Sequence, residues 1–448
     1  MITTARTVRP AFATLDDWLQ WLEVLHPKKI DLALERVQAV LAALGLKPPP
    51  YRVLSVAGTN GKGSSVAMLE SIYRQAGYRV GAYTSPHLWR FNERIRVDSV
   101  EATDVELMHV FEAIDVARGD TSLSYFEYAT VAAMLHFAEC GVAIAVLEVG
   151  LGGRLDAVNA LDPDLALISS VALDHQHWLG DTRDAIGVEK AGIMRKAKPA
   201  IIADPDPPPA LLRYASELGA DLRLVGEDFD CVSNADGSWN YRGAGMQLER
   251  LPRPPLAGDV QYGNAAACVA AVEALQPLIP VSWEALAPAL VQVHLAGRLQ
   301  IEQLHGAEWV FDVAHNPAAA AVLGGEMARR AVPGRTIAIV GLMADKDIAG
   351  VLRPLIGTVD AWIVTCADTA RACATGVLAT TLRELGCADV VEVQSPLLAC
   401  ERALAHTRPG DRVLTFGSFR IVGPVMTEVR LYSGASSSGE LSAKWTGV

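Results

Sequence analysis

Residues 53–65, Val-Leu-Ser-Val-Ala-Gly-Thr-Asn-Gly-Lys-Gly-Ser-Ser, restrict the fold of this chain more than any other stretch. Val53, Leu54 and Val56 form a short apolar run suited to a strand. Gly58, Gly61 and Gly63 follow, with Lys62 between the last two, and residues 66–75 are good helix formers closed by Gly77. Strand, glycine loop and helix in that order describe one unit of an open α/β sheet. The glycines let the backbone turn tightly and bare its N–H groups, and the helix start adds partial positive charge. Lys62 adds a full charge for a phosphate tail, and the hydroxyl of Ser64 or Ser65 suits a magnesium ion. The general phosphate-loop pattern puts Ser or Thr directly after the lysine. Here Gly63 intervenes, so a glycine-rich turn with an incidental lysine is the alternative reading.

The 448 residues suit two or three domains, each able to bury a core. A hydrophobic content of 51% with 20% charged residues is that of an ordinary globular protein. The net charge of −12 argues against a general nucleic-acid or membrane-surface role. Seven scattered cysteines, none in Cys-x-x-Cys, read as reduced core thiols rather than a disulfide framework or zinc site. Residues 1–9 show no signal-peptide core and no long uncharged apolar run occurs, so the expected location is the cytoplasm.

Helical spacing is expected from Thr14, with Asp17 in capping-box position, and again over 29–44, where Asp31 and Arg36 read locally as cap and surface residues. Strands are expected at 79–85, 91–97, 143–149 and 164–173, and helices at 105–118 and from Ser124 to about Glu139. This alternation implies a mostly parallel sheet covered on both faces. Residues 201–256 are harder to read, with a polar hairpin tip at 234–245; a helix over 262–275 follows. A second α/β set has strands at 309–313, 336–342, 361–366, 390–393 and 413–417.

Ser85, Glu148 and His175 each fall at the C-terminal end of an expected strand, where open α/β sheets bind ligands. Together they suggest oxygen and nitrogen ligands around magnesium, which needs few protein ligands because it keeps waters and shares phosphate oxygens. An exposed strand end is the bland reading of each. Lys190 reads locally as a helix-surface lysine. Arg154 and Asp156 follow a glycine turn and suit either an anion clamp or a turn-stabilising pair. Arg298 suits a bidentate phosphate contact. Asp312 and His315 suit contact with a nucleotide sugar or an incoming amine, or a plain helix-start turn at Asn316-Pro317. Asp345-Lys346-Asp347 reads as a solvated charge run.

The chain resembles the bacterial bifunctional dihydrofolate synthase/folylpolyglutamate synthase family, within the Mur ligase superfamily. The resemblance rests on ordered stretches: Ile-Asp-Leu-Ala-Leu-Glu-Arg-Val from Ile30, Ala-Gly-Thr-Asn-Gly-Lys-Gly-Ser from Ala57, Ser-Pro-His-Leu from Ser85 and Ser-Tyr-Phe-Glu-Tyr from Ser124. Leu-Glu-Val-Gly-Leu-Gly-Gly-Arg-Leu-Asp-Ala from Leu147, Leu-Asp-His from Leu173 and Glu-Lys-Ala-Gly-Ile from Glu189 continue it. Gly-Arg-Leu-Gln from Gly297, Asp-Val-Ala-His-Asn-Pro from Asp312 and Asp-Lys-Asp from Asp345 complete it. It spans about residues 15–430, and residues 203–256 carry no stretch that maps onto it.

The resemblance implies an α/β fold, Mur ligase-like: an N-terminal phosphate-loop ATPase domain with a mostly parallel sheet, which also binds pteroate (1–296), a smaller C-terminal α/β ligase domain on the glutamate side (297–431) and a flexible tail (432–448). It implies ATP-dependent ligation of L-glutamate to dihydropteroate and to reduced folates through an acyl phosphate, with two magnesium ions. Thr59, Asn60, Gly61, Lys62, Gly63, Ser64, Asn264, Arg298 and Asp312 would hold ATP. Ser85, Glu148, His175 and a carbamylated Lys190 would hold metal, with Lys62, His175 and Lys190 catalytic. Asp31, Leu32, Ala33, Leu34, Ser124, Tyr125, Phe126, Glu127, Leu155, Asp156 and Ala157 would line the pteroate pocket, and His315 would face glutamate. Closure of the second domain is expected to exclude water, and the chain is expected to act as a monomer with small-molecule partners only. Two rivals remain: a Mur-type ligase acting on a sugar nucleotide, expected to carry a whole domain before the loop where this sequence has 52 residues, and a nucleotide-gated binding protein.

Overall fold

Strand β1 (Arg52–Ala57) sends alternate side chains into two cores, Val53 and Ala57 into one and Leu54 and Val56 into the other. A near-continuous apolar strand with both faces buried belongs at the centre of a parallel sheet. The computed structural model describes residues 12–431; the readings of residues 1–9 and of the tail at 432–448 lie outside them. The chain divides between Arg298 and Leu299 into two compact units.

The first unit is built on an eight-stranded sheet. Its other strands are β2 (Val80–Tyr83), β3 (Ile95–Val97), β4 (Val100–Glu101), β5 (Ile144–Glu148), β6 (Leu165–Ile168), β7 (Pro199–Ile202) and β8 (Asp221–Leu224). The order is β4-β3-β2-β5-β1-β6-β7-β8. From β2 to β8 all neighbours are parallel, while β3 and β4 add an antiparallel edge. One face is covered by helices Leu15–Leu25, Glu35–Ala43, Asp104–Arg118 and Tyr125–Glu139, whose Trp18, Val37, Phe111 and Phe137 share a core. The other is covered by helices Lys62–Gln75, Val260–Leu275 and Leu286–Val291. A separate antiparallel sheet, β9 (Asp230–Ser233), β10 (Trp239–Arg242) and β11 (Gln247–Leu251), joins that second core through Trp239 and Tyr241.

The second unit holds a six-stranded sheet of β12 (Gln300–Leu304), β13 (Ala307–Phe311), β14 (Thr336–Val340), β15 (Ala361–Val364), β16 (Val390–Glu392) and β17 (Arg412–Phe416). The order is β12-β13-β17-β14-β15-β16, parallel except for the β12–β13 pair.

Four expectations need correction. The helix expected over 29–44 begins only at Glu35, because Asp31 is drawn into a hydrogen bond with His26 and an ion pair with Arg36 that hold 29–34 as a loop. The strand expected over 91–97 starts as a turn of 3₁₀ helix at Phe91–Arg94, because Glu93 folds back to accept the backbone N–H groups of Leu88, Trp89 and Arg90. The strand expected over 164–173 stops at Ile168, because the next residues leave the ladder to bind the glycine loop. The stretch 234–245 is more than a hairpin tip: it contains strand β10, and strand β12 carried no expectation.

Candidate active site

The glycine loop is stitched to the segment that follows β6. Thr59 N–H donates to Ser170 O (2.7 Å), Ala172 N–H donates to Thr59 Oγ1 (3.0 Å), and Asn60 N–H donates to Ser170 Oγ (3.0 Å). Ser169 Oγ returns a bond to Asn60 O at 2.6 Å. The loop is therefore held by the segment that follows β6, with helix Lys62–Gln75 starting directly from it. Lys62 curls back so that Nζ donates to the carbonyls of Gly58 (3.1 Å) and Thr59 (3.2 Å). Ser65 Oγ donates to Gly61 O at 3.1 Å. Of the two candidate hydroxyls, that leaves Ser64 as the one not tied to the helix start.

Glu148 ends β5 and is 4% exposed. Its Oε2 accepts the backbone N–H of Ser85 at 3.0 Å, so the structure brings these two expected metal ligands together. Burial raises the carboxyl above its ordinary range, while Lys62 and the Ser85 N–H pull it back. Glu148 Oε2 and Arg298 Nη2 lie 3.8 and 3.7 Å from where a side chain on Gly63 would begin. Arg298 thus stands over the loop from the end of the first unit.

Lys190 lies in helix Arg183–Ala191 and is 4% exposed, not the surface lysine its local sequence suggests. Burial first, then repulsion from Lys62, lowers its ammonium to about 7, against the attraction of Asp174 and Asp156. Burial likewise lowers Lys62, with Glu148 and Asp174 opposing. Asp156 is raised to about 7 by burial, although its carboxylate accepts the N–H groups of Leu151 (2.8 Å) and Val158 (3.0 Å). Lys62, Lys190, Glu148, Asp156 and Asp174 thus form one coupled, poorly solvated charge set. Such perturbed groups beside a phosphate-type loop are the physical signature of a reactive site.

His175 does not end a strand. It lies seven residues past Ile168, at φ 51°, as the cap of the short helix Gln176–Leu179, where its N–H donates to Asp174 Oδ1 at 2.8 Å. Among the described residues no group of three or more His, Cys, Asp or Glu side chains stands ready to hold a metal ion.

Asn264 is 6% exposed and lies with its Oδ1 2.8 Å from where a side chain on Gly61 would begin. Its Nδ2 donates to Gln261 Oε1 at 3.0 Å. Sequence reasoning missed Gln261, although the three-residue spacing on one helix face was a signal.

The expected pteroate residues are joined by a side chain read as surface. Arg36 pairs with Asp31 at 2.9 Å and with Glu127 at 2.7 Å. Glu127 in turn accepts Ser124 N–H at 2.7 Å in the capping box of helix Tyr125–Glu139. Leu32, Ala33 and Leu34 sit half-buried on the loop so held. Phe126 lies against Gly150, where any Cβ would come within 2.5 Å of its ring; only glycine permits that approach. Asp156 caps the 3₁₀ turn Ala157–Ala160 next to Leu155. Arg154 forms an exposed pair with Glu189 at 2.8 Å.

In the second unit Asp312 accepts the N–H groups of Leu299 (2.8 Å) and Ala314 (2.7 Å), and His315 Nδ1 is 2.8 Å from Val313 O. Asn316 caps helix Pro317–Arg329. Asp345 pairs with Arg371, and Asp347 caps helix Ile348–Leu352.

A Mur ligase middle domain family model matches residues 56–272, and a Mur ligase glutamate ligase domain model matches 297–419. Loop, sheet and second unit together are those of a Mur ligase. More narrowly, the chain belongs to the dihydrofolate synthase/folylpolyglutamate synthase family: it is 44% identical over 418 residues to that enzyme of Escherichia coli (strain K12), covering 93% of this chain and 96% of the relative. Escherichia coli FolC, solved in complex with DHPP and ADP, is 42% identical with a TM-score of 0.88, covering 94% of this chain and 99% of that one. The bifunctional folylpolyglutamate synthase/dihydrofolate synthase of Yersinia pestis, solved with AMPPNP and Mn ion, is 39% identical with a TM-score of 0.86, covering 94% and 98%.

Proposed function

We propose that this chain is an ADP-forming ligase that joins L-glutamate to dihydropteroate, giving dihydrofolate, and to reduced folates, lengthening their glutamate tail. The observation that carries the reading is the coupled set Lys62, Glu148, Asp156, Asp174 and Lys190 gathered around a phosphate-type loop. In this reading the substrate carboxylate attacks the γ-phosphorus of ATP, giving an acyl phosphate and ADP. The neutral amine of glutamate then attacks the acyl carbon, an amide forms, and phosphate leaves with the amine proton lost to solvent.

The backbone N–H groups of 59–63 and the start of helix Lys62–Gln75 cradle the phosphates. Lys62 swings from the carbonyls it holds to the transferring phosphoryl group. Asn264, Arg298 and Asp312 are the nucleotide contacts of this reading. His315 serves the incoming amine. Asp31–Leu34, Ser124–Glu127 and Leu155–Ala157 hold the pterin acid.

The donors present fit a hard divalent cation: a buried carboxylate at Glu148 with one backbone hydrogen bond, the Ser64 and Ser85 hydroxyls, and His175. Bound magnesium would neutralise phosphate charge during transfer. Two such ions and carbamylation of Lys190 belong to this reading. An amine brought to about 7 is largely neutral at physiological pH, and neutral amine adds carbon dioxide to give a carbamate and a proton. A monomer in the cytoplasm belongs to this reading as well.

The test incubates the protein with ATP, magnesium, dihydropteroate and L-glutamate. ADP with dihydrofolate is expected, and Lys62→Ala abolishes both. A sugar-nucleotide ligase or a nucleotide-gated binding protein forms no dihydrofolate.

A further inference from the structure

Arg94 is 9% exposed, yet among the described residues no carboxylate pairs with it. Arginines nearby do have partners: Arg96 binds Glu70 at 2.9 Å, and Arg118 binds Asp115. The carboxylate next in sequence, Glu93, is committed to the backbone N–H groups of Leu88 (2.8 Å), Trp89 (2.7 Å) and Arg90 (2.6 Å). Arg94 instead lies over two aromatic rings, Phe91 at 5.7 Å and Tyr125 at 5.6 Å. Its Nε–H donates to His87 Nδ1 at 2.9 Å. Because Nε can only donate, His87 accepts at Nδ1, and the neutral ring carries its proton on Nε2. A buried guanidinium supported by aromatic faces and one imidazole nitrogen is an uncompensated charge, which proteins keep where an anion arrives.

Its position says which anion. His87 follows Ser85 by two residues, and the carbonyl of Arg94 accepts Thr84 N–H at 2.9 Å, so Arg94 is anchored to the turn that meets Glu148. On its other side is Tyr125, in the segment 124–127 that the proposed function gives to the pterin acid. The guanidinium therefore stands between the acid's binding segment and the centre where its carboxylate must react. We propose that Arg94 receives a carboxylate of the pterin-linked acid, with His87 as the positioning residue that aims the guanidinium. This rests on the ligase reading above.

The test compares wild type with Arg94→Met, Arg94→Lys and His87→Ala, measuring kcat and KM for dihydropteroate, a reduced folate, glutamate and ATP, with thermal midpoints alongside. It also measures binding of pteroate against its uncharged carboxamide. Losing a charged hydrogen-bond partner at a buried site weakens binding roughly 10- to 100-fold. Arg94→Met is expected to raise KM for dihydropteroate by that factor, leave KM for ATP unchanged, and lose the preference of wild type for pteroate over the carboxamide. Arg94→Lys recovers part of the loss, and His87→Ala gives a smaller one. An effect on the folate with none on dihydropteroate overturns the proposal, because dihydropteroate carries only one carboxylate.

An Arg94→Met protein that folds and keeps the carboxylate preference overturns the proposal, as does an Arg94→Lys protein that keeps it in full or an effect confined to KM for glutamate. Should Arg94→Met not fold, Arg94→Lys and His87→Ala decide by the same ratio. A wild type that makes no dihydrofolate removes the ligase reading itself, which is a different result.

Discussion

Glu148 Oε2 accepts the backbone N–H of Ser85 at 3.0 Å, tying the end of one strand to the turn that leaves its neighbour. The bond holds a carboxylate at the sheet's C-terminal edge although burial raises it. Glu148→Gln keeps the shape and the acceptor while removing the charge. It is expected to cut ADP formation by about 10²-fold or more, as when a preorganised electrostatic group is lost. The thermal midpoint should hold or rise, because a neutral amide is cheaper to bury. Steady-state ADP release and a melting curve check both halves.

Ser64 and Ser65 are adjacent and both buried, but only Ser65 Oγ is bonded to the helix start. Ser64→Ala is expected to weaken magnesium-dependent ADP formation with little change in stability. Ser65→Ala is expected to lower stability by about 1 kcal/mol, the usual worth of one hydrogen bond, with the lesser effect on turnover. Magnesium titrations of ADP formation and urea midpoints for the two variants separate the roles.

Burial lowers Lys190 to about 7 from its ordinary 10.5. Between those values the unfolded chain binds more protons than the folded one, so the stability of the ligand-free protein rises with pH across that window. Lys190→Met removes this contribution. Urea midpoints in carbon dioxide-free buffer at pH 7 and pH 9 are expected to differ less in the variant than in wild type, and equal slopes would count against a buried neutral amine. Added bicarbonate should raise wild-type turnover and leave the variant unchanged.

Arg36 joins Asp31 to Glu127 at 2.9 and 2.7 Å. Removing either end leaves a poorly solvated charge, so Arg36→Met and Glu127→Gln are each expected to raise KM for dihydropteroate and spare KM for ATP. The double mutant should fall short of the summed losses by about 0.5–3 kcal/mol, the range for side chains in direct contact. Additive losses would show that the pair does not act as one unit.

Much of this was legible in the sequence because local pattern and packing agree. The apolar runs of β1 and β5 are central parallel strands, and the capping residues Thr14 and Ser124 open helices as their spacing implies. The failures share one cause: a side chain or loop engaged far along the chain overrode the local pattern. Asp31 holds residues 29–34 out of a helix through His26 and Arg36. Residues 169–172 leave β6 to bind a loop more than 100 residues earlier. Lys190 carries no mark of burial in Val-Glu-Lys-Ala-Gly-Ile, because what surrounds it, Lys62, Asp156 and Asp174, arrives from three other segments. Arg94 was passed over because an unpaired buried charge is a property of the fold.

The central claim is that the loop at Lys62 serves to activate a pterin-linked carboxylate as an acyl phosphate. The direct measurement supplies dihydropteroate labelled with ¹⁸O in its carboxylate, together with ATP, magnesium and L-glutamate, and analyses the released phosphate by mass spectrometry. The account predicts one labelled oxygen in the phosphate for each dihydrofolate formed. Dihydrofolate appearing with unlabelled phosphate would contradict it.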